Sequence, residues 1–207
     1  MVASLDGKDS GAMAAVMAPA EAVAQALEPF PDVIIANINQ PKQTVVSGPT
    51  SSVEAAVKAL RRARLPGKKI PVSHAFHSPL MSKAAEILVA EIEQLQFKPL
   101  CVPLHSAILA DSISQAADLQ KMFQRHAESP VDFIGALRAA VAPADSTLFI
   151  EMGPGKTLSS FARYTLGSDE IALESTSVQE DGSAQLAKTF VDLVSNGIPI
   201  GSGMLSL

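Results

Sequence analysis

The sequence predicts an α/β protein, because segments with strand patterning alternate with segments of helical periodicity along the chain. Runs of β-branched and small apolar residues are bounded by Gly or Pro. Between these runs, apolar residues recur at three- and four-residue intervals, which is typical of amphipathic helices. With 47% hydrophobic and 18% charged residues, the 207-residue chain has the composition of a packed globular protein.

Charge and composition argue against several classes of protein. A formal net charge of −5 is unsuited to binding phosphate backbones, and one cysteine excludes an intrachain disulfide. No apolar run reaches the roughly 18 residues of a membrane span, and the first residues lack the basic and apolar regions of a signal peptide. We therefore expect a cytoplasmic protein that binds neither nucleic acid nor membranes.

The first part of the chain predicts a βαββαβ unit over residues 11–76, the pattern of ferredoxin-like folds. Residues 1–10 are polar and are expected to form a flexible N-terminal segment. Ser51 or Ser52 is the expected cap of the second helix. The predicted elements are a strand at 11–18, a helix at 19–30, a hairpin of strands at 33–38 and 44–47, a helix ending at Arg64 and a strand at 68–76.

The second part, residues 77–207, again alternates helices with strands and predicts a further α/β layer. A tight turn is expected at residues 153–155, where two glycines flank a proline. The predicted elements are a long amphipathic helix at 81–97, a buried strand at 100–109, helices at 118–128 and 130–142, a strand at 147–152, a helix at 157–166, an apolar segment near 171–173 and a helix at 183–195.

Two of the four histidines, His74 and His77, stand three residues apart at the end of a predicted strand. A zinc site needs further ligands at defined spacing, and no nearby acidic residue supplies one, so we expect no metal here. Two interpretations remain for the pair. The histidines are held by local hydrogen bonds in a loop, or one of them is a catalytic base, because imidazole titrates near neutral pH.

The segment HAFHSPLM (74–81) resembles the histidine motif of malonyl-type acyltransferase domains of polyketide and polyunsaturated-fatty-acid synthases. These domains are related to the malonyl-CoA:acyl-carrier-protein transacylases. The resemblance covers nearly the whole chain and includes GAMAAV (11–16), IANINQPKQTVVSG (35–48), ESPVDF (128–133) and FIEMGPGKTLSSFAR (149–163). It implies a ferredoxin-like subdomain at 11–76 and, at 77–207, the C-terminal part of an α/β-hydrolase-like acyltransferase core.

The sequence departs from this family at the nucleophile. The family carries its serine in a Gly-His-Ser-x-Gly turn before the ferredoxin-like subdomain, and an arginine on the next helix pairs with the malonyl carboxylate. No Gly-x-Ser-x-Gly occurs here, since Ser10 stands one position too late between Gly7 and Gly11. The chain therefore resembles the later part of an acyltransferase domain, and alone we expect it to be inactive.

The resemblance also implies roles for individual residues. His77 matches the general base, and the main-chain carbonyl of Ser129 matches the group that orients it. His74 and Phe76 match positions that select malonyl over methylmalonyl. Asn37 and Asn39 match an Asn-x-Asn near the cleft of the family, but they are equally explained as asparagines of a hairpin turn.

Five of the sixteen cationic residues form one short run: Arg61, Arg62, Arg64, Lys68 and Lys69. A solvated helix C-terminus explains such a run, because cations there interact favourably with the helix dipole. The alternative is a docking patch for an acidic acyl-carrier protein or for the phosphates of coenzyme A. A phosphate-binding loop at residues 153–157 is excluded, since Ile150 occupies the position where that loop needs its first glycine.

The function implied by the resemblance is malonyl transfer from malonyl-CoA to the phosphopantetheine thiol of an acyl-carrier protein, with no bound cofactor. Neighbouring synthase domains or the missing N-terminal segment are the expected further partners, and self-association is expected from unpartnered apolar helix faces. A non-catalytic docking module is the alternative. A hydrolase with the same histidine is not separable by sequence, because transfer and hydrolysis differ only in the acceptor.

Overall fold

The computed structural model describes residues 9–141, 147–152, 155–167, 171–175, 189, 191–195 and 197. The chain divides into two compact units, Met1–Ala142 and Pro143–Leu207. Strands and helices are mixed in both units, so the predicted α/β class is confirmed.

The first unit begins with the predicted βαββαβ arrangement. Its strands form an antiparallel sheet in the order β4-β1-β3-β2, and a fifth strand, β7, pairs in parallel with β2. The bounds are β1 Ala12–Val16, α1 Ala20–Leu27, β2 Ile34–Gln40, β3 Gln43–Gly48, α2 Thr50–Arg62, β4 Gly67–Lys69 and β7 Val131–Asp132.

Two apolar clusters lie on opposite faces of this sheet, because successive strand residues point to opposite sides. Val46 belongs to the cluster that packs against α1 and α2, where Val23 and Leu60 are fully buried. The neighbouring Val45 belongs to the smaller cluster on the other face. That second face also receives the half-buried ring of Phe76, which places the histidine motif beside the sheet.

Helix α2 is capped at its start by a residue distant in sequence. The helix begins at Thr50, so the predicted caps Ser51 and Ser52 lie inside it. Asp9 instead accepts hydrogen bonds from the Thr50 main-chain N–H at 2.7 Å and from the Thr50 hydroxyl at 2.6 Å. The Thr50 hydroxyl bond is the main reason that the pKa of Asp9 is lowered from its usual value. Residues 1–8 lie outside the described residues.

The strand predicted at 68–76 is much shorter than expected, since β4 ends at Lys69. One more ladder-like bond joins the Ile70 N–H to the Met13 carbonyl at 3.0 Å. Pro71 then has no N–H to donate, and the Val72 N–H turns back to the Ile70 carbonyl at 2.9 Å. The histidine motif therefore lies in a loop after the strand.

Two further predicted elements are shorter than expected. The buried strand expected at 100–109 is a short β5, Leu104–Ser106, paired antiparallel with β6, Asp111–Ile113. The Ser106 hydroxyl accepts the N–H groups of Ile108 and Leu109 at 3.2 and 3.1 Å, which ends the strand in a turn. The helix expected at 130–142 begins only after β7, as α5, Phe133–Val141, because Val131 and Asp132 pair with β2.

The long amphipathic helix predicted at 81–97 is a short 3₁₀ turn, Pro79–Met81, followed by α3, Ser82–Glu93. Helix α4, Ala116–Arg125, packs against α3. Phe97, beyond the end of α3, stacks on Phe123 of α4 with ring centroids 5.7 Å apart. This contact joins the segment after α3 to α4. The residues that follow the C-terminus of α4 contact the histidine motif.

The second unit contains a strand–helix–strand arrangement of β8, Thr147–Glu151, α6, Thr157–Leu166, and β9, Ile171–Ser175, with the two strands parallel. Glu151 accepts hydrogen bonds from the N–H groups of Leu158 and Ser159 at 3.1 and 2.9 Å and so caps α6. Of the predicted turn at 153–155 only residue 155 is described, and of the predicted helix at 183–195, residues 183–188 and 190 lie outside the described residues.

Candidate active site

The loop that carries the two histidines is held by its own main chain. Ala75 is fully buried, and its N–H donates to the Ser10 carbonyl at 2.9 Å. The Ser78 hydroxyl, also buried, donates back to the Ala75 carbonyl at 2.6 Å. Between them His77 has a φ of 57°, in the left-handed region that non-glycine residues seldom adopt. The loop therefore presents His77 in a strained, fixed conformation.

The C-terminus of α4 supplies the acceptors that hold His77. The last carbonyls of a helix have no partner within the helix and must find one elsewhere. Here the His77 N–H donates to the Ala127 carbonyl at 3.0 Å. Its ring nitrogen Nδ1 lies 3.1 Å from the carbonyl oxygen of His126 and 3.1 Å from that of Ser129. His77 is thus attached to residues 126–129 at three points, once through its main-chain N–H and twice through its ring.

These contacts decide which ring nitrogen of His77 carries the proton. Both partners of Nδ1 are carbonyl oxygens, which only accept, so Nδ1 donates and Nε2 is left as the acceptor in the neutral ring. Burial, followed by the charge of His126, lowers the pKa of His77, against the opposite effect of the two carbonyl bonds. The lowered pKa favours the neutral imidazole, in which Nε2 carries the lone pair that can accept a proton.

The two other residues of the motif lie next to the second apolar cluster. Phe76 packs against the cluster formed by Met13, Ala36 and Val45. The His74 ring is 6.0 Å from the Phe76 ring, centroid to centroid, and its Nδ1 lies 2.9 Å from the Ser73 hydroxyl. Phe76 is therefore held in place by the sheet, whereas His74 has a local partner.

Strand β2 brings Asn37 and Asn39 to the same sheet face. Asn37 is opposite Val45, a member of the second cluster, and the Asn39 amide lies 3.4 Å from the Gln43 side-chain oxygen. In the parallel pair with β7, Asn37 is also opposite Val131, two residues after Ser129. The register thus joins the small sheet to the segment that binds His77.

The five clustered cations divide into two groups. Arg61 donates from Nε to the Gly67 carbonyl at 2.8 Å, and Lys69 pairs with Glu54 at 3.2 Å. Arg64 has a φ of 63° and ends α2 in a motif in which the Leu65 N–H donates to the Leu60 carbonyl. Among the described residues, three of the five cations have exposed side chains with neither a hydrogen bond nor an ion pair: Arg62, Arg64 and Lys68.

No group of three or more His, Cys, Asp or Glu side chains suited to a metal ion occurs among the described residues. The N-terminus of α6, at the end of the segment in which a phosphate-binding loop was excluded, holds the Glu151 carboxylate. Partial burial raises the pKa of Glu151, but hydrogen bonds from Ser159, Leu158 and Thr157 outweigh it and lower that pKa overall. None of the helices within the described ranges could span a bilayer.

A cavity of about 350 Å³ opens elsewhere in the first unit, between the start of α1, the end of β2 and the start of α5. Ile38 and Gln40 of β2 and Glu21 of α1 line it. Because Ile38 pairs with Thr44, whose hydroxyl donates to the Ala18 carbonyl on the helix side, this cavity lies across the sheet from Phe76. It is separate from the histidine site.

Two functional positions escaped the sequence analysis. Asp9 fixes the start of α2 and the Gly11 N–H at 3.0 Å, although it lies in a segment that reads as a polar terminus. His126 contributes a carbonyl to His77 and an imidazole ring 5.9 Å from its ring. Both act through contacts between residues far apart in sequence. No local pattern indicates Asp9, and the only local sign of His126 is the presence of a histidine near a helix end.

Comparison with protein families identifies this arrangement. The family model described as an acyl transferase domain matches residues 1–189. The chain belongs to the acyl transferase domain family. It is 36% identical over 160 residues to the malonyl CoA-acyl carrier protein transacylase of Bacillus subtilis, covering 74% of this chain and 50% of that protein. It is also 32% identical over 196 residues to a conidial yellow pigment polyketide synthase of Emericella nidulans, covering 91% of the chain and 9% of the synthase.

The fold of this acyl transferase chain matches solved structures as well. The acyltransferase domain from the second module of the salinomycin polyketide synthase superposes with a TM-score of 0.83 at 26% identity. That match covers 93% of this chain and 45% of the solved chain. The chain thus spans half of the bacterial transacylase and less than half of the solved domain.

Proposed function

We propose that this chain supplies the base and the selectivity residues of a malonyl acyltransferase. The full reaction moves malonyl from malonyl-CoA to the phosphopantetheine thiol of an acyl-carrier protein through a serine acyl-enzyme, in the cytoplasm and without a bound cofactor. The single observation that carries the proposal is the state of His77, whose Nδ1 donates to two carbonyls and whose Nε2 has no hydrogen-bond partner among the described residues. The transacylase that is 36% identical is named for this transfer.

The geometry supports a two-step proton relay. His77 Nε2 takes the serine proton as the serine oxygen attacks the thioester carbonyl, and returns it to the departing coenzyme A thiolate. The carrier thiol then gives its proton to Nε2, attacks the acyl-enzyme and releases the serine, which recovers the proton. The carbonyls of His126 and Ser129 stabilise the imidazolium through Nδ1–H, in place of a carboxylate.

The serines beside the histidine motif are poor substitutes for the family nucleophile. Ser78 is buried, and its hydroxyl donates to the Ala75 carbonyl. The Ser73 hydroxyl lies against His74 rather than His77. The nucleophile of the proposed reaction is therefore a serine in a Gly-x-Ser-x-Gly turn, a pattern that this sequence does not contain.

Intact-mass measurement after incubation with malonyl-CoA tests this assignment. The chain alone is expected to acquire no stoichiometric malonyl adduct, because Nε2 of His77 has no positioned hydroxyl to deprotonate. Mixed with, or fused to, a family segment that bears the serine, it is expected to form a malonyl-enzyme and to transfer malonyl to a carrier protein. A His77-dependent adduct on the chain alone would overturn the division of roles, and no transfer by the assembled protein would favour a non-catalytic docking module.

The acceptor is tested in the same assay, with carrier protein present or absent. Loss of the malonyl-enzyme to water at a rate that the carrier does not change would show a hydrolase. Transfer to the carrier thiol supports the proposed transferase.

The same protein solution also tests self-association, for which Ile87 and Leu95, 58% and 56% exposed, are candidate contacts. Light scattering at high concentration is expected to show more than a monomer.

Phe76 is proposed to exclude an α-methyl group from the pocket, with His74 beside it. Phe76→Ser in the assembled enzyme is expected to raise the methylmalonyl-to-malonyl ratio of kcat/KM by roughly 10- to 200-fold, because one methyl group in a fitted pocket is worth about 1–3 kcal/mol. Phe30→Ser is the matched control, since Phe30 packs on the opposite, helix-covered face of the sheet. An unchanged ratio for Phe76→Ser would remove it from the specificity residues.

Arg62, Arg64 and Lys68 are proposed to dock an acidic carrier protein, because Arg61 and Lys69 already have partners in the fold. Arg62→Glu combined with Lys68→Glu is expected to raise KM for the carrier several-fold and to leave KM for malonyl-CoA unchanged. Lys42→Glu combined with Lys98→Glu, two exposed lysines outside this run, changes the net charge by the same amount and is the control. A rise in KM for malonyl-CoA alone would instead assign the patch to coenzyme A phosphates. Equal rises in KM for the carrier in the Arg62/Lys68 variant and in the control would show that the effect comes from net charge and not from a specific patch.

A further inference from the structure

His126 holds His77 in two independent ways. Its main-chain carbonyl accepts a hydrogen bond from His77 Nδ1 at 3.1 Å. Its imidazole packs against the His77 ring with centroids 5.9 Å apart and an angle of 72° between the planes, an edge-to-face contact. The carbonyl bond requires no particular side chain at position 126, whereas the ring contact does.

The ring contact has an electrostatic consequence. Two imidazoles at this distance interact when charged, so an imidazolium at His126 disfavours a second positive charge on His77. His126 is itself exposed, but among the described residues no other charged side chain contacts the His77 ring. Arg125 donates from Nε to the Ser129 hydroxyl at 3.3 Å, Glu128 is exposed, and the His74 ring is bonded to Ser73. His126 is therefore the group best placed to control the charge of His77.

We propose that the His126 side chain is a positioning residue for His77, which braces the ring edge-on and, when protonated, keeps His77 neutral and able to accept a proton. Its relevance to catalysis rests on the proposed function. The interaction between the His126 and His77 rings does not depend on that function, because both rings belong to this chain. The inference is consistent with the lowering of the His77 pKa, in which the charge of His126 acts after burial and in the same direction.

The test is a pH titration of the ¹³C-labelled chain, followed by NMR at the Cε1–Hε1 groups of its four histidines. In His126→Gln, which removes the ring and its charge, His77 is expected to titrate at higher pH than in the parent chain. In His126→Lys, which restores a permanent cation, His77 is expected to titrate at lower pH than in His126→Gln. Lys121→Gln, which removes an exposed cation from the same helix, is the control and is expected to leave the midpoint of His77 unchanged.

Two results would overturn the proposal. An unchanged His77 midpoint in His126→Gln would show that the ring exerts no control, and coincident midpoints in His126→Gln and His126→Lys would show that charge plays no part. Both readouts are obtained without substrate. An NMR shift in a protein that fails to transfer malonyl once assembled would therefore refute the proposed function alone. In an active assembly, the acid limb of the kcat/KM profile is expected to move with the NMR midpoint.

Discussion

Replacing His77 with Ala is expected to lower kcat/KM for malonyl transfer by roughly 10²–10⁴-fold in an enzyme that contains this chain and the serine-bearing segment. The change removes Nε2, the acceptor of the serine proton, and the Nδ1–H that bonds two carbonyls. Single-turnover formation of the malonyl-enzyme, followed by intact mass, measures the affected step directly.

A second substitution separates the loss of the base from a loss of fold. Asn tolerates the left-handed conformation that His77 adopts at a φ of 57°, and its side-chain amide can donate to the same carbonyls. His77→Asn is therefore expected to be as inactive as His77→Ala and to unfold at the same denaturant concentration as the parent. His105→Ala, on the separate β5–β6 pair, is the control for loss of an imidazole. Activity in His77→Asn within tenfold of the parent would contradict the role of His77 as base.

Local sequence patterns were sufficient to predict two helices and a hairpin. The helix predicted at 157–166 is observed as Thr157–Leu166, and the second helix of the small sheet is observed as Thr50–Arg62. In both, the apolar stripe predicts the helix and its approximate length, although the start of α2 is also capped by Asp9. The hairpin at 33–47 was predicted for the same reason, since its loop chemistry lies between two β-branched runs.

Two misplaced boundaries have different causes, a proline within the predicted strand in one case and a distant partner strand in the other. The last strand of the small sheet ends at Lys69 because Pro71 cannot continue the ladder with β1. Val131 and Asp132 read as the start of a helix, but they pair in parallel with Asn37 and Ile38. A strand of two residues has no periodicity of its own, so sequence alone could not separate it from the helix that follows.

The candidate site shows the same division. The resemblance placed His77 and Ser129 together, and the His77 Nδ1 lies 3.1 Å from the Ser129 carbonyl oxygen. It gave no indication that the His126 carbonyl oxygen accepts from the same Nδ1–H. The cap of α2 by Asp9 joins residues separated by 41 positions. Such contacts form only when the chain has folded, and they decide how the loop from Ser73 to Ser78 is held.

Gly11→Ala is expected to lower the free energy of unfolding by about 2–4 kcal/mol, because two costs add. Gly11 has a φ of 77°, a conformation that is unfavourable for an L residue with a side chain. A Cβ there would also overlap the Ala75 Cβ and lie 2.7 Å from the Gly48 carbonyl oxygen and 2.9 Å from Leu80 Cδ1. Urea unfolding followed by circular dichroism measures the change.

Gly67→Ala is the matched control, since its nearest neighbour would be a Val16 methyl at 3.5 Å, an ordinary contact, and we expect less than about 1 kcal/mol of change. The Gly11 variant tests more than stability, because its Cβ meets the residue two positions before His77. Relief of the overlap requires movement of Ala75, whose N–H and carbonyl anchor the loop to Ser10 and Ser78. Equal effects of the two substitutions would show that the loop yields freely at Ala75, and His77 would then lack the rigid support that its left-handed backbone requires.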